Sequence, residues 1–317
     1  MTVSRHIEEF HGLPVFDFVQ AVEKGAQLPD AAAVAWKIGL EYESPRTFTE
    51  CWQQFLDTVE ADRVSAVVIG LWSQEEPDSF TEPLRAIVGA AGRLPALRAL
   101  FVGDITFEEC EISWLQLVDV TPLLTSFPQL TELVVRGSGE DWEGGSGLAL
   151  QQVRHERLRA LRFESGGLPV SVVRSVAACD FPALESLALW LGVDQYGGDA
   201  ALDDLTPFLD GSRFPALRHL GLQNSEFQDA IAAAVAHAPV VARLEALTLS
   251  MGVLTDEGAT ALLEGQPLTH LRALDLHHHY LSDAMQERLR QALPGVALDL
   301  SEAGKPDDQW RYVAVAE

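Results

Sequence analysis

The chain has 317 residues, 47% of them hydrophobic, enough apolar material for an extended core. Its 47 acidic and 22 basic residues give a formal charge of −25. That charge excludes a nucleic-acid binder that works by displacing phosphate counterions, and it disfavours anionic membrane surfaces. The three cysteines, Cys51, Cys110 and Cys179, are odd in number and far apart. They are expected as reduced thiols in a cytoplasmic protein, because Met1 to Phe10 is charged and no window nears the roughly 18 apolar residues of a membrane span.

Residues 1–60 show no repeat. Val34, Trp36, Ile38 and Leu40 alternate as in a strand, and Thr47 to Val59 turns Phe48, Trp52, Phe55, Leu56 and Val59 to one helical face. This segment is expected as a small α/β cap over the first apolar edge.

From 61 to 301 one short phrase recurs. It reads Leu-Pro-Ala-Leu-Arg-Ala-Leu at 94–100, Phe-Pro-Ala-Leu-Glu-Ser-Leu at 181–187 and Leu-Thr-His-Leu-Arg-Ala-Leu at 268–274. Its first leucine falls at 97, 130, 158, 184, 217, 244 and 271, in steps of 26 to 33 residues. Val64, Val67 and Ile69 extend the pattern backwards, and Leu298 and Leu300 extend it forwards, giving about nine coils with degenerate ends. Alternation within the phrase predicts a strand. Helices are predicted between phrases, at Phe80 to Ala91, Pro169 to Cys179 and Asp229 to Ala238, and after the N-cap residues Thr255 and Ser282. A strand, turn and helix repeated at this period build a parallel sheet inside an arc, with the wider helices outside.

Two insertions, Arg136 to Gly147 and Gly192 to Asp204, follow repeat strands and are expected on one edge of the arc. Residues 302–317 read as a polar linker and a tail. The tail, Tyr312 to Glu317, is expected either to pack as a cap or to be held out as a displayed peptide.

The phrase, its period near 27 and the turn Leu254-Thr-Asp-Glu-Gly-Ala-Thr-Ala-Leu262 resemble leucine-rich-repeat proteins of the ribonuclease-inhibitor-like class, over residues 60 to 301. The resemblance implies a right-handed α/β horseshoe, with a concave parallel β-sheet and convex helices, and a binding role. More narrowly, Gly12 to Phe18, Glu108 to Trp114, Asp275 to Leu281 and Arg311 to Glu317 resemble an uncharacterised, mostly actinobacterial leucine-rich-repeat family. Its genes often lie beside those of radical-chemistry and ATP-grasp-like enzymes. That implies a scaffold, a recognition subunit, or a substrate protein whose tail those enzymes modify. One departure from the class stands out. The turn position commonly filled by Asn or Cys holds Trp72, Ile105, Ser138, Gly166, Gly192, Ser225, Gly252 and His279 here.

Positions pointing away from the core form rows on the concave face. In the later coils these rows combine an aromatic ring, amides, a hydroxyl, imidazole and a carboxylate. Trp190, His219, Gln223, Asn224, Ser250, Asp275 and His277 are therefore the expected partner-binding residues. The earlier coils offer Ala99, Phe101, Glu132, Val134, Arg136, Arg162 and Glu164. An acidic rim is expected from Asp104, Glu108, Glu109, Glu111, Glu140, Asp141, Glu143, Asp194, Asp199, Asp203 and Asp204, suited to a basic partner. The run His277 to His279 invites a metal, yet one strand cannot wrap a tetrahedral ion and no HxxxH or CxxC accompanies it. No nucleophile elbow, phosphate loop or dinucleotide fingerprint is present, so no catalytic residue, metal site or cofactor is assigned. Non-enzymatic recognition of a protein or peptide is the expected function. A modified-tail substrate and a histidine-run metal protein are the alternatives.

Overall fold

The computed structural model describes residues 2–41, 44–73, 79–138, 147–306 and 309–317. The strands β1 (Glu9–Phe10) and β2 (Leu13–Asp17) form an antiparallel hairpin. Its two loop residues, His11 and Gly12, have φ of 55° and 70°, as a type I′ turn requires. From β2 onward the described strands pair in parallel with one another and follow chain order. They are β3 (Ala35–Ile38), β4 (Ala66–Ile69), β5 (Ala99–Val102), β6 (Glu132–Arg136), β7 (Ala160–Glu164), β8 (Ser186–Gly192), β9 (His219–Ser225), β10 (Ala246–Thr248), β11 (Ala273–Asp275) and β12 (Ala297–Asp299).

The register explains the repeated phrase. Leu187 pairs with Leu220, Leu220 with Leu247, Leu247 with Leu274 and Leu274 with Leu298. Equivalent side chains thus stack about 4.8 Å apart. The first four of these leucines are essentially fully buried in one continuous core.

Helices close the other side of that core. They include α1 (Phe18–Glu23), α2 (Phe48–Thr58), α3 (Thr81–Gly89), α4 (Thr121–Ser126), α5 (Val170–Ala178), α6 (Thr206–Leu209), α7 (Gln228–Val235), α8 (Asp256–Glu264) and α9 (Asp283–Ala292). Thr47 caps α2 in a reciprocal capping box with Glu50, and Thr255 and Ser282 cap α8 and α9 through their hydroxyls. Cys179 is the buried C-cap of α5.

The segment expected as an N-terminal cap covers that end of the arc with strands of the same sheet. Among the described residues eleven parallel strands follow one another, nine of them (β4 to β12) within 61–301 and two (β2 and β3) in the segment before it. The extra strands β2 and β3 turn Phe16, Trp36 and Ile38 toward the core instead of leucines, so they do not spell the phrase. All three cysteines are free, and burial pushes the Cys110 thiol up to about 11. The insertion at 139–146 lies outside the described residues.

A candidate recognition cleft

The two halves of the concave face differ. Over β3 to β6 most outward positions are apolar, and Phe10, Ile7 and Leu13 pack onto Ala35, Ala66, Val68, Ala99, Phe101 and Val134. The expected display of Ala99, Phe101 and Val134 is thereby corrected: the chain's own first residues cover them. That segment is held at its other edge by Asp104, which is fully buried. Asp104 accepts from the Ile7 amide at 3.1 Å, pairs with Lys37 at 3.0 Å and meets His6 at 3.3 Å. Burial opposes ionisation of Asp104, but the His6 hydrogen bond and the Lys37 charge outweigh it and hold the carboxyl below its usual range. Arg136 continues the network, 2.6 Å from Glu164, and is itself buried. Asp104, Arg136 and Glu164 are thus internal charges, not parts of the rim or the wall.

Over β6 to β11 the concave face stays open. A cleft of about 1220 Å³ runs across these strands, lined at its margin by Thr2 to Ser4 and by the tail residues Trp310, Tyr312, Ala314 and Val315, with Val3 and Ala314 packed in one small apolar cluster. Trp190, His219, Gln223, Asp275 and His277 line it, together with Thr248 and Glu302. Trp190, Asp275 and His277 are half-buried and His219 is exposed. Gln223 is nearly buried because its amide donates to Ser250 Oγ at 2.9 Å. Ser250 is fully buried and sits behind it. Asn224 is also fully buried and turns to the tail: its Oδ1 accepts from the Val315 amide at 2.9 Å and its Nδ2 donates to the Val315 carbonyl. The reading of Ser250 and Asn224 as displayed groups is corrected on this ground.

The histidine run divides three ways, which tells against the alternative of the run as one ligand set. His277 faces the cleft and bonds Asp275 at 2.8 Å, and that hydrogen bond raises the pKa of its imidazole. His278 turns to the tail and bonds the Tyr312 carbonyl at 2.9 Å. His279 is fully buried in the turn, where it bonds the Leu300 carbonyl at 3.2 Å and accepts from the Leu281 amide at 3.1 Å; burial lowers its pKa. It does the work that Asn or Cys does elsewhere in such turns. Asp299 on β12, in register with Asp275, brings its carboxylate near His277, so ligand atoms of Asp275, His277 and Asp299 lie within 4.8 Å of one another.

Of the expected acidic rim, Glu108, Glu109, Asp194, Asp199 and Asp203 are exposed. Asp204 pairs with Arg174 at 2.8 Å, and Glu140, Asp141 and Glu143 lie outside the described residues. Sequence reasoning missed the frame of the cleft. The only signal for the tail was the alternation of Val313 and Val315, both now buried. Nothing marked Thr2 to Ser4.

Strands stacked in chain order over a leucine core, with helices behind and an open cleft in front, define a leucine-rich-repeat protein with an α/β horseshoe fold. A protein from Bacteroides fragilis, known from its crystal structure, is 30% identical to this chain with a TM-score of 0.80; the match covers 93% of this chain and 83% of that one. The chain belongs to the same family as that protein. An internalin from Listeria monocytogenes (12% identity, TM-score 0.32) matches over 75% of this chain and 54% of its own. A leucine-rich-repeat protein from Leptospira interrogans (14% identity, TM-score 0.36) matches over 92% and 59%. No protein-family model and no curated protein matches the sequence. Among the described residues no helix is long and apolar enough to cross a membrane.

Proposed function

We propose that this protein is a non-enzymatic recognition scaffold whose open concave cleft binds a protein or peptide segment. The carrying observation is the cleft itself. One half of the concave wall is sealed by the chain's own residues, while the half over β6 to β11 leaves Trp190, His219, Asp275 and His277 accessible. An amphipathic ring beside polar groups on a rigid sheet is the composition of a binding hot spot. Glu132, Asp275 and Glu302 in the cleft and the net charge of −25 favour a basic partner by attraction and steering. The free cysteines fit a reducing cytoplasm.

Replacing Trp190→Ala and His277→Ala together is expected to weaken partner capture from native cells by at least about tenfold, the scale of losing one hot-spot residue. Unfolding should stay cooperative, because neither side chain belongs to the leucine core. Unchanged capture with both side chains gone contradicts the proposal.

A further inference from the structure

The tail does not simply lie on the molecule; its backbone is read. Tyr312 donates its amide to Tyr280 Oη at 2.8 Å, and its carbonyl accepts from Tyr280 Oη at 3.1 Å and bonds His278 Nε2. The Ala314 amide donates to the Met251 carbonyl at 2.8 Å. Asn224 takes both the amide and the carbonyl of Val315, and Ser113 Oγ donates to the Ala316 carbonyl. The tail crosses the strand ends in reverse chain order, from the β11 coil to β10, β9 and β7.

Three of these contacts come from one structural position. Asn224, Met251 and His278 stand 27 residues apart, Asn224 at the end of β9 and the other two just past β10 and β11, and all three have left-handed backbone, with φ of 56°, 68° and 52°. Non-glycine residues rarely hold this conformation, methionine least readily of the three, and such outliers persist where the surroundings impose them, often at binding sites. Asn224 is the only asparagine in the chain. The β7 coil, two coils on from β9, contributes Gly166, where a Cβ would stand 2.0 Å from the Ala316 carbonyl oxygen; only glycine admits the tail there. Side-chain demands are small by comparison. Val315 drops between Ile112 and Met251, and Val313 is buried as well, while Trp310 and Tyr312 remain exposed.

A seat that binds backbone groups and offers only shallow apolar pockets recognises extended peptides by main chain and alternation, with little regard for the other residues. We propose that this seat is an exchangeable peptide-binding groove, holding Tyr312 to Glu317 in cis and accepting in trans an extended segment with small apolar residues at alternate positions. Exchange lifts Tyr312, Ala314 and Val315 from the edge of the cleft they line, so occupancy of the seat sets the width of that cleft. The groove adjoins the concave wall, with Trp190 packed against the Val315 cluster, but its contacts to the tail backbone come from Asn224, Met251, His278 and Tyr280, so either site can fail its test without the other.

Two measurements on the full chain decide it. The first is native-state hydrogen exchange of the wild-type protein. The Ala314 and Val315 amides are expected to exchange by local opening, at least tenfold faster than that of Leu247 in the sheet. Exchange of all three only by global unfolding overturns the proposal, because the tail is then a permanent part of the fold. The second is anisotropy of a fluorescein-labelled peptide of residues 310–317. The wild-type tail competes at high effective concentration, so binding is weak; Val315→Asp, which expels its own tail, is expected to bind the peptide at least tenfold more tightly. Adding Asn224→Ala should remove that gain. A natively folded Val315→Asp protein that binds the peptide no better than wild type overturns the proposal. Should Val315→Asp not fold, Ala314→Pro, which deletes the amide bonded to Met251, is read in the same way.

Discussion

His6 shows how a single side chain holds a segment that no repeat defines. It stands between Asp104 and Glu109, 3.3 Å from each, and the Lys37 charge works against its protonation. The hydrogen bond to Asp104 raises its pKa above the ordinary value near 6.5. A raised imidazole stabilises the fold fully below the unfolded pKa, and that contribution is lost as pH climbs through the folded value. The first ten residues should therefore be held most firmly below about pH 6.5, and loosen above the midpoint of His6. NMR titration is expected to place that midpoint above 6.5, and a midpoint at or below it contradicts the described contacts. At this scale the sequence was only partly legible. Trp190, Asp275 and His277 follow strand alternation and reach the cleft, as alternation requires. Asn224 and Ser250 do not: both are fully buried, Asn224 with left-handed backbone that turns its amide to the tail, and no local pattern announces a positive φ at Asn.

The repeating element was the most legible part, since its physics is local. Two leucines alternating on a strand, one more at its entrance and a capped helix behind them fix each coil nearly by themselves. Leu274 is fully buried with Leu247 and Leu298 as its sheet neighbours. Leu274→Ala should destabilise the protein by about 2–5 kcal/mol, read from the shift in a urea unfolding curve. A change well below 1 kcal/mol contradicts the stacked core. The strands β2 and β3 escaped the phrase because aromatic side chains fill the inward positions. The turn that lacks an asparagine ladder is satisfied case by case, by His279 on the Leu300 carbonyl and by Gln228 on the Leu222 carbonyl at 2.9 Å. Such substitutes keep the hydrogen-bond count but not the motif.

For the whole molecule, the decisive features are contacts between residues far apart in sequence. The first residues cover the early coils and the last ones cross the late coils, with Ser113 bonding Ala316 and Tyr196 bonding Glu317. The Tyr196 hydroxyl stays protonated as the donor, its pKa pushed up to about 12 by that Glu317 bond. Neither terminal segment repeats, so periodicity could not reveal that together they divide a uniform arc into a sealed half and an open half. Recognition by the open half is the central claim. It is tested most directly by site-specific photo-crosslinking in native cells, with a photoreactive residue at Thr248 on the cleft wall and, separately, at Arg288 on the outer helix α9. A discrete adduct from Thr248 and none from Arg288 is the expected result; adducts from Arg288 alone would contradict it.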